Sequence, residues 1–546
     1  MPETPPPSPK MRREVGVVGL LYASLGGIIG SGWLLGPMHA AQLAGPLSVF
    51  SWIIGGGAIL LLAMVYAELT TLFPRSGAMV HFPHLSHGSL LARIWSWILF
   101  LGYVAVAPAE AMAVLNYLTS LKLTWLPALV HSSAMGVNVL TAWGVGGAIA
   151  MLGVFTLLNL AGIKWAMRIS NTAGWWKLGV PVLTVVVLLS TAHHVCNLHL
   201  AVAARGGYFR GMFTAIATSG VIFSYLGFRQ AVALAGETSN PHRYIPLAVI
   251  GSVLIGMVLY VGLELAFLLA VNPAVLHRYG WARLESVASF GVGTGPFAAL
   301  ARALGLGWLA WLLYADAIVS PGGTGFIYIV TSSRVIQAMS EDGFVPRTLK
   351  KLSRAGVPWV AGLVSFAVGI VFMLPFPSWK KMVGYISLVM LLSYGIGPVV
   401  LLTLRRLMPE ATYPRPYRLP AAAILAPLTF IVSNLIVYWA GATTVSILLG
   451  LLLAVFLLFL LGRAITNPRS LAEIPWRHTW WVAPYLGGIW LLDQIGSRDM
   501  VGGYGLLRFP YDIPVIAVFS VMILYLAGRC AIPLAELEAY IETQET

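Results

Sequence analysis

The sequence predicts an all-α integral membrane protein, and three observations support that fold class. Of the 546 residues, 58% are hydrophobic and only 10% are charged, whereas about 25% of the residues of a soluble domain are charged. Many segments continue for about 20 residues without a charge, long enough to cross a hydrocarbon core of roughly 30 Å. Two of these segments are interrupted by glycines at corresponding positions, which favours helices broken in mid-membrane.

Fourteen apolar runs, bounded by Pro, Gly and charged residues, are predicted to span the membrane. The eighth run is too long for one crossing and is expected to include a loop, and the last two runs are less hydrophobic. The runs cover residues 15–41, 47–71, 93–119, 141–161, 173–192, 213–236, 245–271, 297–338, 357–376, 382–404, 421–440, 442–462, 478–496 and 511–530.

These runs divide the chain into three membrane units and two tails. Residues 15–192 and 213–404 hold five predicted helices each, and residues 421–530 add four C-terminal helices. The Pro-rich segment 1–14 is expected to be a disordered cytoplasmic tail, and 531–546 a cytoplasmic C-terminal tail. With both termini inside, the inner segments carry roughly twice as many Lys and Arg residues as the outer loops. This bias predicts a multi-pass protein of the cell inner (plasma) membrane with cytoplasmic termini.

The first interruption is the run GGIIGSG at residues 26–32. Each of its glycines disfavours continuous helix by roughly 1 kcal/mol relative to Ala. In hydrocarbon, unwound backbone is tolerated only where protein or a water-filled cavity satisfies its polar groups. A helix broken in mid-membrane is therefore a candidate binding site. The candidate residues here are Ile28, Gly30, Ser31 and Gly32.

The second interruption lies five runs later, in the sequence FSYLGF at residues 223–228, and Gly220 and Gly227 flank the expected unwinding point. Because five is odd, the second unit crosses the membrane in the opposite sense to the first. The sequence therefore predicts inverted repeats whose two breaks face each other near mid-membrane. The alternative is that these glycines only allow close helix packing. The candidate binding residues here are Phe223, Ser224, Tyr225 and Gly227.

Two motifs carry a resemblance to a known family. Residues 30–32 (GSG) and 237–246 (ETSNPHRYIP) resemble the amino acid–polyamine–organocation (APC) superfamily, whose sixth span ends in a pattern like E-x-x-N-P-x-R-x-I-P. Residues 333–346 resemble that family's loop after the eighth span, and fourteen spans are similar to the cationic amino acid transporters and their bacterial relatives. The resemblance implies a leucine-transporter-type fold with broken helices 1 and 6. It also implies secondary active transport of amino acids by alternating access.

The predicted breaks suit a zwitterionic substrate such as an amino acid. The start of a half-helix carries a positive partial charge and unpaired N–H groups, so residues 31–33 are expected to bind a carboxylate. Carbonyl groups in 23–28 and 223–226 are expected to accept hydrogen bonds from an ammonium group. Phe223 and Tyr225 either cover this site as an aromatic gate or pack between helices.

Lys177 lies several residues inside the fifth run. A lysine in hydrocarbon is disfavoured unless it is paired or neutral. Some proton-coupled members of the family that the chain resembles carry a lysine here, which implies proton-coupled transport. The same resemblance places Ser320 near Lys177, just before a kink expected at Pro321. The alternative is a lysine whose ammonium group reaches the cytoplasmic interface.

Arg229 departs from the family pattern, in which acidic or small polar residues are common at this position. Because arginine stays protonated, an arginine facing the cavity favours an acidic side chain or a carboxylate-only substrate and repels cationic amino acids. The alternative is a structural arginine paired with Glu110 in the third run or Asp316 in the eighth. The sequence leaves acidic and neutral amino acids open as substrates.

Two further carboxylates have predicted positions. Glu68 at the end of the second run is expected at the membrane interface, and Glu237 is expected to brace the sixth run against Arg243 or a loop arginine. Cys196 and Cys530 fall on opposite sides of the predicted topology, so no disulfide is expected between them.

No motif indicates an enzyme, a cofactor or a metal site, and no filter-like repeat indicates a channel. The net charge of +14 does not indicate a nucleic-acid partner, because the basic residues lie in short loops between the runs. The expected partners are an amino acid, a proton and the lipid bilayer. A transporter of organic acids or amines and a transporter-like membrane sensor remain as alternatives.

Overall fold

The computed structural model describes ten stretches of the chain. They are residues 15–75, 77–121, 124–132, 138–160, 163–199, 207–286, 295–353, 356–375, 378–466 and 474–545. The predicted tail 1–14 lies outside the described residues.

The first five predicted runs form helices α1 to α7, with two short strands before α6. Their bounds are α1 Val17–Ile28, α2 Ser31–Ala44, α3 Ser48–Leu72, α4 Ala78–Val104, α5 Val106–Ser120, β1 Val130–Ser132, β2 Asn138–Leu140, α6 Ala142–Leu160 and α7 Ile163–Thr191. The strands pair antiparallel, with Val130 opposite Leu140. This hairpin was not predicted, and it lies in the loop between two spans.

The next five runs form α8 to α16, and the C-terminal part of the chain forms α17 to α22. The bounds are α8 Tyr208–Thr218, α9 Val221–Tyr225, α10 Arg229–Ala233, α11 Pro241–Ala270, α12 Pro273–Tyr279, α13 Pro296–Ala303, α14 Gly307–Glu341, α15 Trp359–Met373 and α16 Trp379–Leu407. They continue with α17 Ala422–Trp439, α18 Ala442–Thr466, α19 Val482–Ile495, α20 Arg498–Val501, α21 Asp512–Arg529 and α22 Leu534–Glu545.

The long apolar helices confirm that the chain is a helical membrane protein. Within the described residues, ten helices are long and apolar enough to cross a membrane, or eleven if the bent pair formed by α8 and α9–α10 is one span. Helices α1, α15 and α19 are shorter than a full crossing. The long eighth run contains the expected loop, because α13 ends at Ala303 and α14 begins at Gly307.

Burial separates central helices from lipid-facing ones. The apolar segment of α4 and α5 is completely buried inside the protein, whereas only 11% of the corresponding segment of α18 is buried. The exposed surface of α18 includes Leu457, Leu458 and Leu461. An apolar surface of this kind is stable against lipid tails rather than water. The central position of α4 and α5 places their polar side chains beside the interrupted helices.

The first discontinuity lies between α1 and α2. Helix α1 ends at Ile28 and α2 begins at Ser31, so Ile29 and Gly30 are the non-helical residues. Gly30 has φ −126° and ψ −139°. A side chain at Gly30 would also collide with its surroundings, because an added Cβ would lie 2.5 Å from Glu110 Oε1.

The second discontinuity lies earlier in the chain than the sequence predicted. Helix α8 ends at Thr218, and Gly220 has φ +101°, a left-handed conformation that glycine adopts without strain. The helices on either side are bent by 49°. Residues 223–228 are helical instead of unwound: α9 continues into a 3-10 turn at Leu226–Phe228. The chain therefore turns at Gly220, and Gly227 lies in the 3-10 turn.

The two interrupted helices touch where they cross. A Cβ added to Gly227 would lie 2.1 Å from Ile28 N, and one added to Gly32 would lie 2.1 Å from Ser224 Oγ. No side chain fits at either crossing. Gly227 and Gly32 therefore have the packing role that small residues serve between membrane helices, whatever further role they have in binding.

Candidate functional site

A carboxylate of the protein itself occupies the first turn of α2. The Ser31 N–H donates to Glu110 Oε2 at 2.8 Å, and Glu110 is fully buried on α5. Its second oxygen, Oε1, accepts no hydrogen bond within the described residues. The N–H group expected to bind a substrate carboxylate is thus paired with Glu110 in this conformation.

A tyrosine hydroxyl occupies the carbonyl side of the same discontinuity. Tyr260 Oη on α11 lies 2.7 Å from Ile28 O and 3.3 Å from Ser224 O. Both carbonyls belong to the segments that are expected to receive an ammonium group. The two ends of the predicted zwitterion site are therefore filled by side chains of the protein.

Lys177 is buried at the point where α7 meets α1 and α14, and only 2% of its surface is exposed. Its Nζ donates to Gly26 O at 2.8 Å and to Thr324 Oγ1 at 2.7 Å. The ammonium group therefore points into the protein rather than to an interface. Its neighbour on α14 is Thr324 rather than Ser320, because Ser320 Oγ donates to Asp316 Oδ1 at 2.7 Å.

Arg229 is a buried cation surrounded by aromatic rings. Its side chain has no exposed surface, and Nη1 donates to the Tyr394 hydroxyl and the Met390 sulfur. The guanidinium carbon lies 3.8 Å from the ring centre of Tyr103 and 4.5 Å from that of Tyr328. Cation–π contacts of this kind contribute about 2 kcal/mol when desolvated, which offsets part of the cost of burying the charge.

The carboxylate partners proposed for Arg229 from the sequence are engaged elsewhere. Glu110 accepts from the backbone of Ser31, and Asp316 accepts from Ser320. Within the described residues, Arg229 forms no salt bridge, and its Nε and Nη2 make no hydrogen bond. A buried charge without an opposite charge is costly by several kcal/mol.

A cavity of about 540 Å³ reaches towards this cation. Tyr103, whose ring stacks on the guanidinium, lines the cavity together with Gln230. Glu237 and Arg334, which form a salt bridge at 3.7 Å, also line it. This partner of Glu237 lies on α14 and is neither Arg243 nor a loop residue. The cavity opens on the face of the protein that carries Val15, whose N–H donates to Glu237 O at 3.0 Å.

Aromatic side chains cover the opposite face of the discontinuity. Trp379 Nε1 at the start of α16 donates to Ser31 Oγ at 2.9 Å. The Phe223 ring packs edge-on against Trp379, and His39 stacks on it. Tyr225 is not part of this cover, because its hydroxyl donates to Trp52 O at 3.1 Å. Of the two predicted gate residues, Phe223 is therefore adjacent to Ser31, and Tyr225 packs between α3 and α11.

Two other buried carboxylates have ion-pair or hydrogen-bond partners away from the site. Glu68 is fully buried and forms ion pairs with Arg405 at 2.6 Å and Arg415 at 3.0 Å. These two arginines stabilise its charge inside the protein, and its position at the membrane interface stays a prediction. Glu264 accepts from Trp52 Nε1 at 2.8 Å and from the Ser48 hydroxyl.

Several residues around the site were missed by the sequence analysis. Thr324 had an available signal, since it follows Ser320 by one helical turn and therefore shares its face of α14. The tyrosines that enclose Arg229 and the hydroxyl of Tyr260 had none, because an aromatic residue in an apolar run is equally typical of ordinary helix packing.

Comparison with known proteins decides the family. The amino acid permease family model matches residues 15–491. The chain belongs to the amino acid permease family. This permease is therefore a multi-pass membrane transport protein and not an enzyme.

Its relatives include transporters of known type. The glutamate/serine transporter AimA of Bacillus subtilis is 34% identical to this permease over 514 residues, which cover 94% of this chain and 93% of AimA. The aspartate-proton symporter of the same organism is 34% identical over 531 residues, 96% and 98% of the two chains. Human cationic amino acid transporter 4 is 25% identical over 411 residues, 72% of this chain and 60% of the relative. These matches support amino acid transport.

Proposed function

We propose that this permease is a secondary active transporter that moves amino acids by alternating access, driven by protons, and that it accepts acidic side chains. The observation that carries the acidic preference is Arg229, a buried cation that has no carboxylate partner within the described residues. Two similar transporters are named for glutamate and serine and for aspartate. Two independent lines thus favour the same substrate class.

The α-carboxylate of the substrate is proposed to bind the first turn of α2. Ser31 and Gly32 lie there, and a helix N-terminus stabilises an anion through unpaired N–H groups and the helix dipole. The ammonium group is proposed to bind the carbonyls of Ile28 and Ser224. The Tyr260 hydroxyl lies within 3.3 Å of both carbonyls, which supports a common hydrogen-bonding position for a donor.

The side-chain carboxylate is proposed to bind Arg229. The residue lies one turn beyond Tyr225 and borders the cavity wall formed by Tyr103 and Gln230. Movement of the Tyr103 ring would open Nε and Nη2 to the cavity. An arginine fork matches a carboxylate with two parallel hydrogen bonds, and it excludes a cationic side chain.

Proton coupling is proposed to depend on Lys177. Its ammonium group joins Gly26 O at the end of α1 to Thr324 on α14, so it transmits a movement of one of these helices to the other. The relative named as an aspartate-proton symporter supports the same coupling ion. Ser320 is proposed to act at one remove, through Asp316 on the same helix face.

In this proposal the fold has two inverted repeats of the leucine-transporter type, residues 15–192 and 213–404, with broken helices 1 and 6 and four added helices at 421–530. The discontinuities at Ile29–Gly30 and Ser219–Gly220 support it, since they lie five spans apart and in contacting helices. The face that carries the cavity is proposed to be cytoplasmic, together with both termini, in the cell inner (plasma) membrane.

Uptake into proteoliposomes tests the proposed function. With an acidic exterior, purified protein should accumulate labelled glutamate or aspartate above the level of protein-free vesicles, and excess unlabelled lysine should not compete. A sodium gradient at equal pH should give no accumulation. Accumulation of organic acids or amines without amino acids would replace the substrate class, and ligand binding without any accumulation would indicate a sensor.

A further inference from the structure

We propose that Glu110 is an internal substitute for the substrate carboxylate: it holds the N-terminus of α2 in the empty transporter, and it leaves, taking up a proton, when the substrate's α-carboxylate binds. The inference rests on the proposed function for the identity of the substrate. It gives Glu110 a role in the transport cycle, because Glu110 and the substrate compete for the same N–H group.

The geometry allows only one carboxylate at this helix end. Glu110 Oε2 lies 2.8 Å from Ser31 N, at the start of a helix of 14 residues. Gly30 leaves no gap on one side, because an added Cβ would lie 2.5 Å from Glu110 Oε1. On the other side, a Cβ added to Gly32 would lie 2.1 Å from Ser224 Oγ. A substrate carboxylate therefore reaches the Ser31 N–H only after Glu110 has moved.

The unpaired oxygen of Glu110 lies at the discontinuity between α1 and α2. Oε1 is buried and accepts no hydrogen bond within the described residues. The space at Gly30 lies between Oε1 and Thr324 Oγ1, at 2.5 and 3.0 Å from a Cβ placed there. Thr324 also accepts from Lys177. Glu110 Oε1 and the hydroxyl that binds the proposed coupling lysine thus lie on either side of Gly30.

The titratable groups around Glu110 come from three packed helices. Lys177 on α7, Tyr260 on α11 and Tyr328 on α14 interact with it electrostatically, and Asp316 on α14 faces Lys177. A nearby ammonium group favours an ionised carboxylate, whereas a second carboxylate at close range disfavours it. A bound substrate carboxylate therefore shifts Glu110 towards its protonated form.

The exchange balances in atoms and charge. The Ser31 N–H···Oε2 bond breaks, a proton from the aqueous side binds the Glu110 carboxylate, and the Ser31 N–H then donates to the substrate carboxylate. Release reverses these steps on the other side of the membrane, so the proton travels with the substrate. The structure fits the state after release, with Glu110 on Ser31 and a cavity open on the face that carries Val15.

Proton uptake on binding tests this step directly. In weakly buffered detergent solution with a pH indicator, glutamate added to the wild-type protein should make the solution more alkaline. Glutamate affinity should fall by about tenfold per pH unit in the alkaline range, as expected when binding takes up a proton. In Glu110→Gln the proton uptake should vanish, and glutamate affinity should no longer depend on pH. Glu264→Gln is the matched control, because Glu264 is equally buried but bonded to Trp52, and it should behave as the wild type.

Each outcome decides the role of Glu110. Proton uptake that persists in Glu110→Gln overturns the proposal and leaves Glu110 as a structural cap of α2. A wild type that binds no amino acid refutes the proposed function instead. The infrared difference spectrum of the wild type needs no variant: carboxyl-labelled glutamate should produce an unlabelled band of a protonated protein carboxyl group. Absence of that band during measured binding overturns the proposal even if Glu110→Gln fails to fold.

Discussion

Arg229 is a buried charge that lies among aromatic rings and binds the Met390 sulfur and the Tyr394 hydroxyl. Glu68 is balanced by two arginines and Lys177 by backbone and hydroxyl oxygens. Tyr103 and the other rings around Arg229 stabilise a cation, but they provide less than a carboxylate does. This imbalance gives the residue a reason to bind an anionic substrate.

Replacing Arg229 with Ala should weaken the binding of glutamate and aspartate by about 1.5–3 kcal/mol, the usual worth of a hydrogen bond to a charged group. That loss corresponds to a fall in affinity of about ten- to a hundredfold. Neutral amino acids should lose little, because they leave the guanidinium unused. Competition by unlabelled amino acids in proteoliposome uptake measures both effects.

Arg229→Lys is the matched control for charge. It keeps a cation but lacks the planar fork, so it should retain part of the acidic preference. If Arg229→Ala lowers the uptake of serine and glutamate equally, or lowers the melting temperature as its main effect, Arg229 is structural and the acidic preference fails.

The Gly227→Ala substitution adds one methyl group where the two interrupted helices cross. In Gly227→Ala the new Cβ would lie 2.1 Å from Ile28 N and 2.2 Å from Gly27 C, so the two backbones must separate. Overpacking of this kind costs about 1–3 kcal/mol and should lower both the melting temperature and transport. Gly322→Ala on α14 meets nothing within 4 Å and should leave both unchanged. A Gly227→Ala protein with the wild-type melting temperature would contradict the direct contact of the two segments.

At the scale of elements, Lys177 joins α7 to α1 and α14 through the bonds of its Nζ. It holds the end of α1 through Gly26 O and holds α14 through Thr324. The bond to Gly26 O changes if α1 tilts, and the bond to Thr324 changes if α14 moves. A helix connected in this way can respond to a change of charge beside the lysine.

Lys177→Ala should abolish uptake driven by a pH gradient while the protein remains folded, because it removes both bonds at once. Sodium should not restore or stimulate uptake in either protein. Lys381→Ala, which changes an exposed lysine at the start of α16, is the control and should transport normally. Stimulation of the wild type by a sodium gradient, or full pH-driven uptake by Lys177→Ala, would count against proton coupling through this residue.

At the scale of the whole molecule, the two faces differ in access to the discontinuities. One face has the cavity lined by Tyr103 and Gln230, and on the other Trp379 and Phe223 cover Ser31. A transporter that opens to one side at a time is expected to show this asymmetry. The orientation of the protein in the membrane then decides which compartment the open cavity faces.

The two cysteines report that orientation. Cys196 and Cys530 are both free, as the predicted topology requires, with Cys196 exposed and Cys530 buried. In Cys530→Ala, a membrane-impermeant maleimide should label Cys196 in right-side-out vesicles and leave inside-out vesicles unlabelled until detergent is added. Cys196→Ala should stay unlabelled in right-side-out vesicles. Labelling of Cys196 only in inside-out vesicles would reverse the proposed orientation.

The sequence by itself determined the membrane class, the presence of many long apolar helices and the permease family. These follow from local properties: apolar runs long enough to cross a bilayer, the breaks in them, and the motif at 237–246. The first discontinuity was placed within its seven-residue run for the same reason, since glycines at 26–32 disfavour continuous helix. The second was misplaced because either Gly220 or Gly227 allows unwinding, and only the folded chain shows that Gly227 serves the close contact with α1.

Only the tertiary structure decided which side chains meet at the discontinuities. Glu110 and Ser31 are 79 residues apart, and Lys177 and Thr324 are 147 apart, so no local pattern links them. The sequence offered Glu110 as a partner for Arg229, but α5 presents it to the start of α2, and Arg229 lies among tyrosines from three other helices. Burial makes such pairings selective, because a charge inside the membrane is stable only beside the one partner that the packing brings to it.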